Sequence, residues 1–349
     1  MKYRKLGRSG LFVSEICLGT MNFGANPGRY AAAGWLLQDD AERIVARALD
    51  AGVNFFDTAN VYGGQGGSET ILGQSLKNLG VSRDQVVIST KVEGAMGSGA
   101  NDGGASRFHI MDQAKASLRR LNTDHIDLYQ IHAFDQATPI EETLRALDDL
   151  VRQGHVRYLG ISNWAAWQVS RALGVADNIN VDRFVGFQGQ YSLVGRDIER
   201  DIVPMLDAEG LGLIVWGPLA GGYLTGKYRL EGAEGRRKVF NFPPVDEDRG
   251  AELLTTLDRL AETRNTTVAA VALSWLLHKR TVASVIVGAR NTAQLDDNLA
   301  SSGLSLTSDD MNTLDGAFEL VLEYPGNMAL MHGIERRKLL ETGQLPSGN

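Results

Sequence analysis

Short apolar runs rich in β-branched and aromatic residues recur about eight times along the chain, separated by segments with apolar residues at helical spacing. The runs are Val13–Leu18, Val53–Phe56, Val86–Thr90, Ile126–Ile131, Val156–Ile161, Phe184–Phe187, Leu211–Trp216 and Val282–Val287. Strands and helices in alternation form parallel sheets, which are either open and doubly wound or closed into a barrel. Because eight is the strand number of the closed form, the pattern predicts an α/β fold, the (β/α)8 TIM barrel.

The helical segments include "DDAERIVARALDAG", "IMDQAKASLRRLN", "PIEETLRALDDLVRQG" and "DRLAETRNTTVAAVALSWLLHKR". A length of 349 residues fits one barrel with insertions, so we predict a single domain, 1–349, in which 319–349 form a C-terminal tail over the mouth. The irregular stretches 24–37 and 217–244 each follow a strand, and 93–107 is a third variable segment. Loops that follow strands gather on the catalytic face of a barrel.

Composition restricts the partners. The formal net charge is −7 and no long basic run occurs, which argues against a nucleic-acid partner; the triplet Arg236–Lys238 is interpreted as a solvated loop. The one cysteine, Cys17, lies in an apolar run, which predicts core packing and fits a reducing compartment. Because neither a secretory signal nor a run of membrane-spanning length is evident, we expect a soluble cytoplasmic protein with no membrane partner.

Polar residues stand where the predicted strands end. Asp57 ends the second run with Tyr62 just beyond, and Lys91 and His132 follow the third and fourth. Taken singly, each has a simpler explanation: a turn cap for Asp57, a solvated Lys91, a lid for Tyr62 and a satisfied core residue for His132. Together they are an acid, a phenol, an ammonium and an imidazole aimed at one mouth, which favours a catalytic site.

These four groups suggest proton transfer. A tyrosine titrates at about pH 10, and a neighbouring lysine cation lowers the pKa of a phenol because it stabilises phenolate. Lys91 could supply that field, with Asp57 holding the ammonium in place. His132 could then donate a hydrogen bond to a substrate carbonyl. The group that attacks the carbonyl is not evident from these residues.

Four other patterns do not support a function. The glycines of "YGGQGGSE" do not have G-x-G-x-x-G spacing, which weakens a Rossmann interpretation. The segment "GGYLTGKY" matches a Walker A loop except that Tyr228 replaces Ser or Thr, and its Y-x-x-x-K spacing contains Gly226. The histidines show no metal-binding spacing, so no metal is predicted.

The chain resembles the aldo-keto reductase family over nearly its whole length. The resemblance rests on "YRKLGRSGLFVSEICLGTMNFG", "FFDTANVYGGQGGSE", "SLRRLNTDHIDLYQIHAFD", "VRQGHVRYLGISNW", "FQGQYSL", "GPLAGGYLTGKY" and "SVIVGARNTAQLDDNL". It implies a TIM barrel that binds NADPH (NADP⁺) without a Rossmann domain and reduces a small-molecule carbonyl, or oxidises an alcohol, by hydride transfer. The family's catalytic tetrad falls on Asp57, Tyr62, Lys91 and His132, with Tyr62 as the general acid/base.

The same resemblance implies a cofactor site. The carboxamide of the cofactor would be bound by Ser162, Asn163 and Gln188. Tyr191 would stack on the nicotinamide ring, although it could instead be a core aromatic. The loop along the pyrophosphate would comprise Gly217, Pro218, Leu219, Ala220, Gly222 and Lys227. The adenosine end would comprise Gly288, Arg290, Gln294 and Asn298. A guanidinium there suits a 2′-phosphate, which favours NADPH over NADH.

The substrate pocket would be lined by the variable loops. Trp35, Phe134 and Trp164 could be its aromatic walls or simple packing residues. The alternative function is a cofactor-binding regulatory or redox-sensing subunit resembling the family's potassium-channel β-subunits.

Overall fold

Eight parallel strands close into a barrel in the computed structural model of the chain, which describes residues 1–25, 35–230, 235–332, 334 and 338–339. The strands are β1 (Ile16–Gly19), β2 (Phe55–Asp57), β3 (Val87–Val92), β4 (Ile126–Ile131), β5 (Val156–Ser162), β6 (Phe184–Gln190), β7 (Gly212–Trp216) and β8 (Val282–Val287). Each strand pairs with the next, and β8 pairs with β1. The prediction of a (β/α)8 barrel is confirmed.

The longer helices alternate with the strands along the chain, and three further helices follow the last strand. They are α1 (Gln38–Asp50), α2 (Gly67–Asn78), α3 (Arg107–Leu121), α4 (Ile140–Arg152), α5 (Ala166–Ile179), α6 (Ile202–Glu209), α7 (Glu247–Thr263), α8 (Val268–Leu277), α9 (Thr292–Leu299), α10 (Ser308–Ala317) and α11 (Gly326–Met331). Two of them end at asparagines in the left-handed region, Asn122 and Asn180, each with φ of 53°. Asparagine tolerates that conformation, so these positions stop α3 and α5.

Two apolar layers hold the fold together. The larger one lies between the strands and the helices, and the smaller one fills the barrel interior with Leu6, Val13, Cys17, Phe55, Val87, Leu128, Ile214 and Ala283. An N-terminal hairpin of Tyr3–Lys5 and Phe12–Ser14 closes the bottom of the barrel, where Leu6 is fully buried. Arg4 fixes this hairpin by donating to the carbonyls of Leu277 and Val282.

Two predicted elements are divided in the structure. The run Val13–Leu18 contributes Val13 to the hairpin and begins β1 only at Ile16, because Glu15 at the bend is buried in an ion pair with Arg4. The long helical pattern ending at Arg280 is two helices, α7 and α8. Asn265 adopts a φ of 49° between them, and the Thr267 hydroxyl caps α8 by accepting from the backbone N–H of Ala270.

The predicted loop 217–244 lies against the mouth of the barrel. Arg237 donates from Nη1 to the carbonyl oxygens of Ala220 and Pro243, and Arg236 is half-buried, so the interpretation of Arg236–Lys238 as a solvated loop is wrong for two of its residues.

Residues 26–34, 231–234 and most of 333–349, on which parts of the loop and tail predictions fall, lie outside the described residues. In the described part of the chain, no helix combines the length and apolarity needed to cross a bilayer.

Candidate active site

The four side chains predicted for catalysis converge at the carboxyl ends of neighbouring strands. Lys91 Nζ lies 2.5 Å from Asp57 Oδ2 inside the barrel. The same Nζ is 5.1 Å from the centroid of the Tyr62 ring, and Tyr62 Oη lies 3.5 Å from His132 Nε2. The structure therefore brings the acid, ammonium, phenol and imidazole into one site.

A tight turn after β2 presents Tyr62. Gly63 and Gly66 have φ of 67° and 96°, conformations that a side chain disfavours. A Cβ on Gly63 would lie 2.5 Å from the carbonyl oxygen of Phe23, and one on Gly66 would lie 2.3 Å from Arg120 Nε. The glycines of this turn therefore allow a close approach of neighbouring groups that a side chain would prevent.

A buried carboxylate anchors the helix that follows the turn. Glu69 is fully buried in α2, where it accepts from Thr90 Oγ1 at 2.5 Å and from Arg120 Nε at 2.6 Å. Thr90 precedes Lys91 in β3, so Glu69 ties the Tyr62 turn to the strand that carries the ammonium. This positioning role was not predicted, although "GGSE" contains the residue.

Lys91 is a buried cation with a buried counter-ion. Burial is the largest influence on the pKa of Lys91 and would lower it, but the charges of Asp57 and Tyr62 together raise that pKa above its usual value. Nζ also donates to the carbonyl oxygen of Thr58 at 2.8 Å. The side chain thus remains an ammonium beside the phenol at neutral pH.

The residues predicted to bind a carboxamide adjoin the same site. Gln188 Nε2 donates to Asp57 Oδ1 at 2.8 Å. Asn163 has a φ of 60° and donates from Nδ2 to the His132 carbonyl oxygen at 3.0 Å and to Ser162 Oγ at 2.9 Å. Ser162, Asn163 and Gln188 therefore lie together beside the four central residues.

Tyr191 occupies a different place from that expected of a ring that stacks on a cofactor. It is 2% exposed and lies with its ring centroid 5.2 Å from that of Trp275 in α8, while its hydroxyl donates to Glu199 Oε1 at 2.6 Å. Burial, followed by the nearby Glu199 carboxylate, raises the pKa of Tyr191 well above its usual value. Its surroundings are those of the core aromatic that the sequence left as the alternative.

Trp216 is the aromatic residue at the mouth that the sequence interpretation missed. It ends β7, is partly exposed, and donates from Nε1 to Asn163 Oδ1 at 3.0 Å. Its ring stacks on Phe242, with centroids 6.2 Å apart and planes 19° from parallel. Its position as the last residue of the run Leu211–Trp216 was the available signal, because side chains at strand ends face the mouth.

The loop after β7 is a tight turn in which several residues have positive φ. Gly217, Ala220, Gly221 and Gly222 all have positive φ, between 48° and 89°, and the turn brings Lys227 Cε close to Gly222. Within the described residues, no carboxylate pairs with Lys227, whose Nζ lies 5.1 Å from the centroid of the Tyr228 ring. Gly226, with a φ of 74°, separates Tyr223 from Lys227, so the Y-x-x-x-K spacing is not a helical pair.

The end of β8 gathers the remaining predicted residues. Gln294 Oε1 accepts from the backbone N–H of Arg290 at 3.0 Å, and Asn298 Nδ2 donates to the Gly288 carbonyl oxygen at 3.5 Å. The side chain of Arg290 is exposed. Gln294 and Asn298 thus shape the loop that presents the guanidinium.

The three predicted wall residues differ in their surroundings. Trp164 is 3% exposed and packs edge-to-face against Phe134, with ring centroids 4.9 Å apart, so it is a packing residue. Phe134 is partly exposed and also approaches the exposed Trp167. Trp35 is 62% exposed at the edge of the described part of its loop.

The sequence of the chain is similar to those of one known protein family and of individual relatives. A sequence model of the aldo/keto reductase family matches residues 15–319. The chain is 37% identical over 326 residues to the "Uncharacterized oxidoreductase YrpG" of Bacillus subtilis, covering 91% of this chain and 96% of that protein. It is 37% identical over 310 residues to a "Probable voltage-gated potassium channel subunit beta" of Arabidopsis thaliana, covering 86% and 90%. It is also 34% identical over 323 residues to the "Norsolorinic acid reductase stcV" of Emericella nidulans, covering 91% and 81%.

Proposed function

The chain belongs to the aldo/keto reductase family and is an oxidoreductase, and from this premise we propose that it reduces an aldehyde or ketone reversibly to an alcohol with NADPH. The observation that carries the proposal is the buried Asp57–Lys91 ion pair beside Tyr62 and His132. A cation held next to a phenol favours proton transfer from that phenol.

Tyr62 is the general acid in reduction and, as phenolate, the general base in oxidation. When it gives its proton to the carbonyl oxygen, the negative charge left on the phenol is stabilised by the Lys91 ammonium. Asp57 keeps that ammonium in place through its 2.5 Å contact. Because the pair is buried, water screens this field weakly.

His132 orients the carbonyl. Its Nε2 is 3.5 Å from Tyr62 Oη. Two donors at that separation can both reach one oxygen atom, since each hydrogen bond spans about 2.8 Å. A carbonyl oxygen bound between them would be held in line for protonation by Tyr62.

The residues around the mouth fit NADPH. Lys227, which lies close to the turn of positive φ at Gly217–Gly222, would supply a cation for the pyrophosphate. The Trp216 ring, in place of Tyr191, would support the nicotinamide, with Ser162, Asn163 and Gln188 at the carboxamide. Arg290 would bind the 2′-phosphate, supported by Gln294, Asn298 and Gly288. When bound, the reduced cofactor supplies the hydride.

Several further predictions belong to this proposal. They are the single domain 1–349 with its tail at 319–349, a cytoplasmic location, small-molecule carbonyl or alcohol substrates, and the absence of a nucleic-acid partner. The family match ends at residue 319, where that tail begins.

The test follows consumption of the reduced cofactor by absorbance with a panel of aldehydes and ketones. Turnover of at least one carbonyl by the purified chain is expected. Tight NADPH binding without turnover on any panel member would contradict the proposal. Relatives named as reductases and as channel subunits occur at similar identity, so names do not favour the alternative of a regulatory subunit, and this assay separates the two.

A further inference from the structure

One arginine beside the mouth of the barrel has no acidic partner. Arg236 begins the short helical segment Arg236–Val239 in the loop after β7, and its side chain is half-buried. Its Nε is shielded from solvent and donates to no acceptor, and no carboxylate in the described part of the chain pairs with it. Because a guanidinium is protonated at neutral pH, these residues leave a positive charge without a counter-ion.

Two other arginines with a shielded Nε differ from Arg236 in this respect. The Nε atoms of Arg200 and Arg264 also lack an acceptor. However, Arg200 forms an ion pair with Asp197. Arg264 likewise forms one with Asp310. A charge removed from water costs free energy unless it is paired, so an anion bound from outside would supply the partner that Arg236 lacks.

Contacts of the next residue hold the segment against the turn at the mouth. The Tyr228 hydroxyl donates to the Gly221 carbonyl oxygen at 3.2 Å and accepts from the backbone N–H of Arg237 at 3.2 Å. The Arg237 guanidinium donates to two carbonyl oxygens of its own loop, at 3.3 and 2.6 Å. Arg237 thus anchors the segment, whereas the adjacent guanidinium of Arg236 is not used in this way.

The Tyr62 phenol lies within electrostatic reach of Arg236. Burial is the largest influence on the pKa of Arg236 and lowers it, while Tyr62 and then Tyr228 act in the opposite direction. Charge interactions weaken with distance, so such an influence requires the two groups to be near each other. Arg236 therefore lies near the end of the mouth at which Tyr62 would transfer its proton.

Two molecules could bring an anion to this position. Lys227 approaches the same segment, since a Cβ at Gly235 would lie 2.7 Å from Lys227 Nζ, so a phosphate of the cofactor is one source. The other source is the substrate, whose carbonyl oxygen would lie between Tyr62 and His132. The closeness of Arg236 to the phenol favours the substrate.

We propose that Arg236 binds a carboxylate of the substrate, and that the chain therefore acts on carbonyl compounds that carry an acidic group apart from the carbonyl. This inference deepens the proposed function and rests on it for the reaction. The guanidinium offers a planar fork of N–H donors that matches the two oxygens of a carboxylate. Such a contact would hold the substrate in one orientation relative to Tyr62 and His132.

The first test compares aldehydes that differ in charge alone. The compound para-formylbenzoate and its uncharged amide, para-formylbenzamide, share the ring and the aldehyde, and the meta pair changes the separation of the two groups. The wild type should have a higher kcat/KM on at least one carboxylate than on its amide. Arg236→Met should lower kcat/KM for that carboxylate roughly 10- to 100-fold, mainly through KM, and change that of the amide less than about twofold. A wild type without this preference, or equal losses on both compounds, would overturn the proposal.

Lys238→Met is the matched control. Lys238 lies in the same segment, and its exposed side chain carries the same charge. Its loss should leave the ratio of the two kcat/KM values unchanged. A ratio that fell as far as in Arg236→Met would mean that the general field of the loop, rather than a contact with Arg236, selects the carboxylate. Arg236→Lys keeps the charge without the fork and should retain part of the preference.

The second test does not require turnover. Calorimetry measures the binding of para-carbamoylbenzoate, which has the carboxylate but no aldehyde, to the full chain with and without NADP⁺. Arg236→Met should weaken this binding roughly 10- to 100-fold and leave the NADPH dissociation constant within about twofold. A loss of NADPH affinity with unchanged carbamoylbenzoate binding would assign Arg236 to a cofactor phosphate and overturn the proposal. If the wild type reduces no aldehyde, the proposed function fails, while this measurement still decides whether Arg236 binds a carboxylate.

Thermal unfolding of the chain without ligands separates binding from a structural role. Arg236→Met should not lower the melting temperature, because it removes a charge that has no partner in the described residues. Arg237→Met should lower it, because the bonds to two carbonyl oxygens are lost. An equal fall in both variants would mean that Arg236 holds the loop in place rather than a ligand.

Discussion

Trp216 Nε1 donates a 3.0 Å hydrogen bond to Asn163 Oδ1, which ties the end of β7 to the end of β5 at the mouth of the barrel. Tyr191 lies instead against Trp275 in the layer between barrel and helices, with its hydroxyl bonded to Glu199. Tyr191 is thus buried, whereas the ring of Trp216 is partly exposed at the mouth.

Trp216→Leu should weaken NADPH binding roughly fivefold, since a stacked aromatic contact is worth about 1 kcal/mol beyond its area. Tyr191→Leu should leave the affinity within about twofold, because the ring that it removes packs against Trp275 away from the mouth. Dissociation constants from fluorescence titration compare the two variants. A larger loss in Tyr191→Leu than in Trp216→Leu would mean that Tyr191, not Trp216, stacks on the nicotinamide.

Tyr62→Phe should lower kcat by at least about 100-fold and leave the NADPH dissociation constant nearly unchanged, because the phenol acts in the chemical step. Tyr129→Phe is the control: its hydroxyl is fully buried and has no hydrogen-bond partner in the described residues. Single-turnover measurements separate the rate of the chemical step from that of product release. Near-wild-type turnover in Tyr62→Phe would show that another group supplies the proton.

Gly66→Ala should reduce kcat and stability together. The added methyl would meet Arg120 Nε at 2.3 Å, which disturbs the side chain that pairs with the buried Glu69, and the φ of 96° is a backbone conformation that a side chain disfavours. Gly67→Ala is a neighbouring control, since a Cβ there meets nothing within 4 Å. Melting temperature and turnover are measured for both. If Gly66→Ala kept the melting temperature and kcat of Gly67→Ala, the turn would tolerate a side chain at position 66.

Lys91→Met should lower the free energy of unfolding by about 3–5 kcal/mol at neutral pH, because it leaves the buried Asp57 carboxylate without its cation. The pKa of Lys91 is raised in the folded state, where Asp57 and Tyr62 outweigh the opposing effect of burial. The stabilisation is therefore complete below the unfolded value of about 10.4 and is lost as the pH rises through the folded value. Urea unfolding at neutral and strongly alkaline pH measures the change, with the exposed Lys115→Met as control.

A constant difference between the wild type and Lys91→Met across that alkaline range would show that lost packing, not the ion pair, accounts for the destabilisation. A large effect in Lys115→Met would indicate a general response to lost positive charge.

Arg290→Ala should weaken NADPH by roughly 10- to 100-fold and NADH by much less, because a charge-assisted bond to phosphate contributes about 1.5–3 kcal/mol. Arg280→Ala, at an 85% exposed arginine that pairs with Asp207 near the start of β8, is the control. Binding of both cofactors is measured at one ionic strength. Equal losses of NADPH and NADH would mean that Arg290 does not contact the 2′-phosphate.

The strands and the central residues could be predicted because each depends on local pattern. Polar residues such as Lys91 and His132 follow apolar runs, and parallel strands carry such residues to one mouth whatever the details of packing. The donors on Asp57 could not be anticipated in this way. Gln130 and Ser89 lie within strands rather than at their ends, and their role depends on the stagger between strands.

Tyr191 and Trp216 show a second limit. Both are aromatic and stand at or just past the end of a strand, so composition does not distinguish them. Tyr191 lies just past the last residue of β6 and packs against α8, whereas Trp216 is the last residue of β7 and is partly exposed. Because side chains alternate between the two faces of a strand, a shift of one residue decides whether a ring points towards the mouth of the barrel or into the layer between the barrel and the helices.

Pairing of β8 with β1 joins segments from nearly opposite ends of the matched region, with Val285 beside Ile16 and Val287 beside Leu18. While the polypeptide emerges from the ribosome, β1 therefore has an unsatisfied edge until almost the whole protein has been made. Arg4 must likewise await the carbonyls of Leu277 and Val282. Ring closure is thus a late event in biosynthesis, and nascent chains interrupted before β8 would carry an open edge suited to aggregation or chaperone capture.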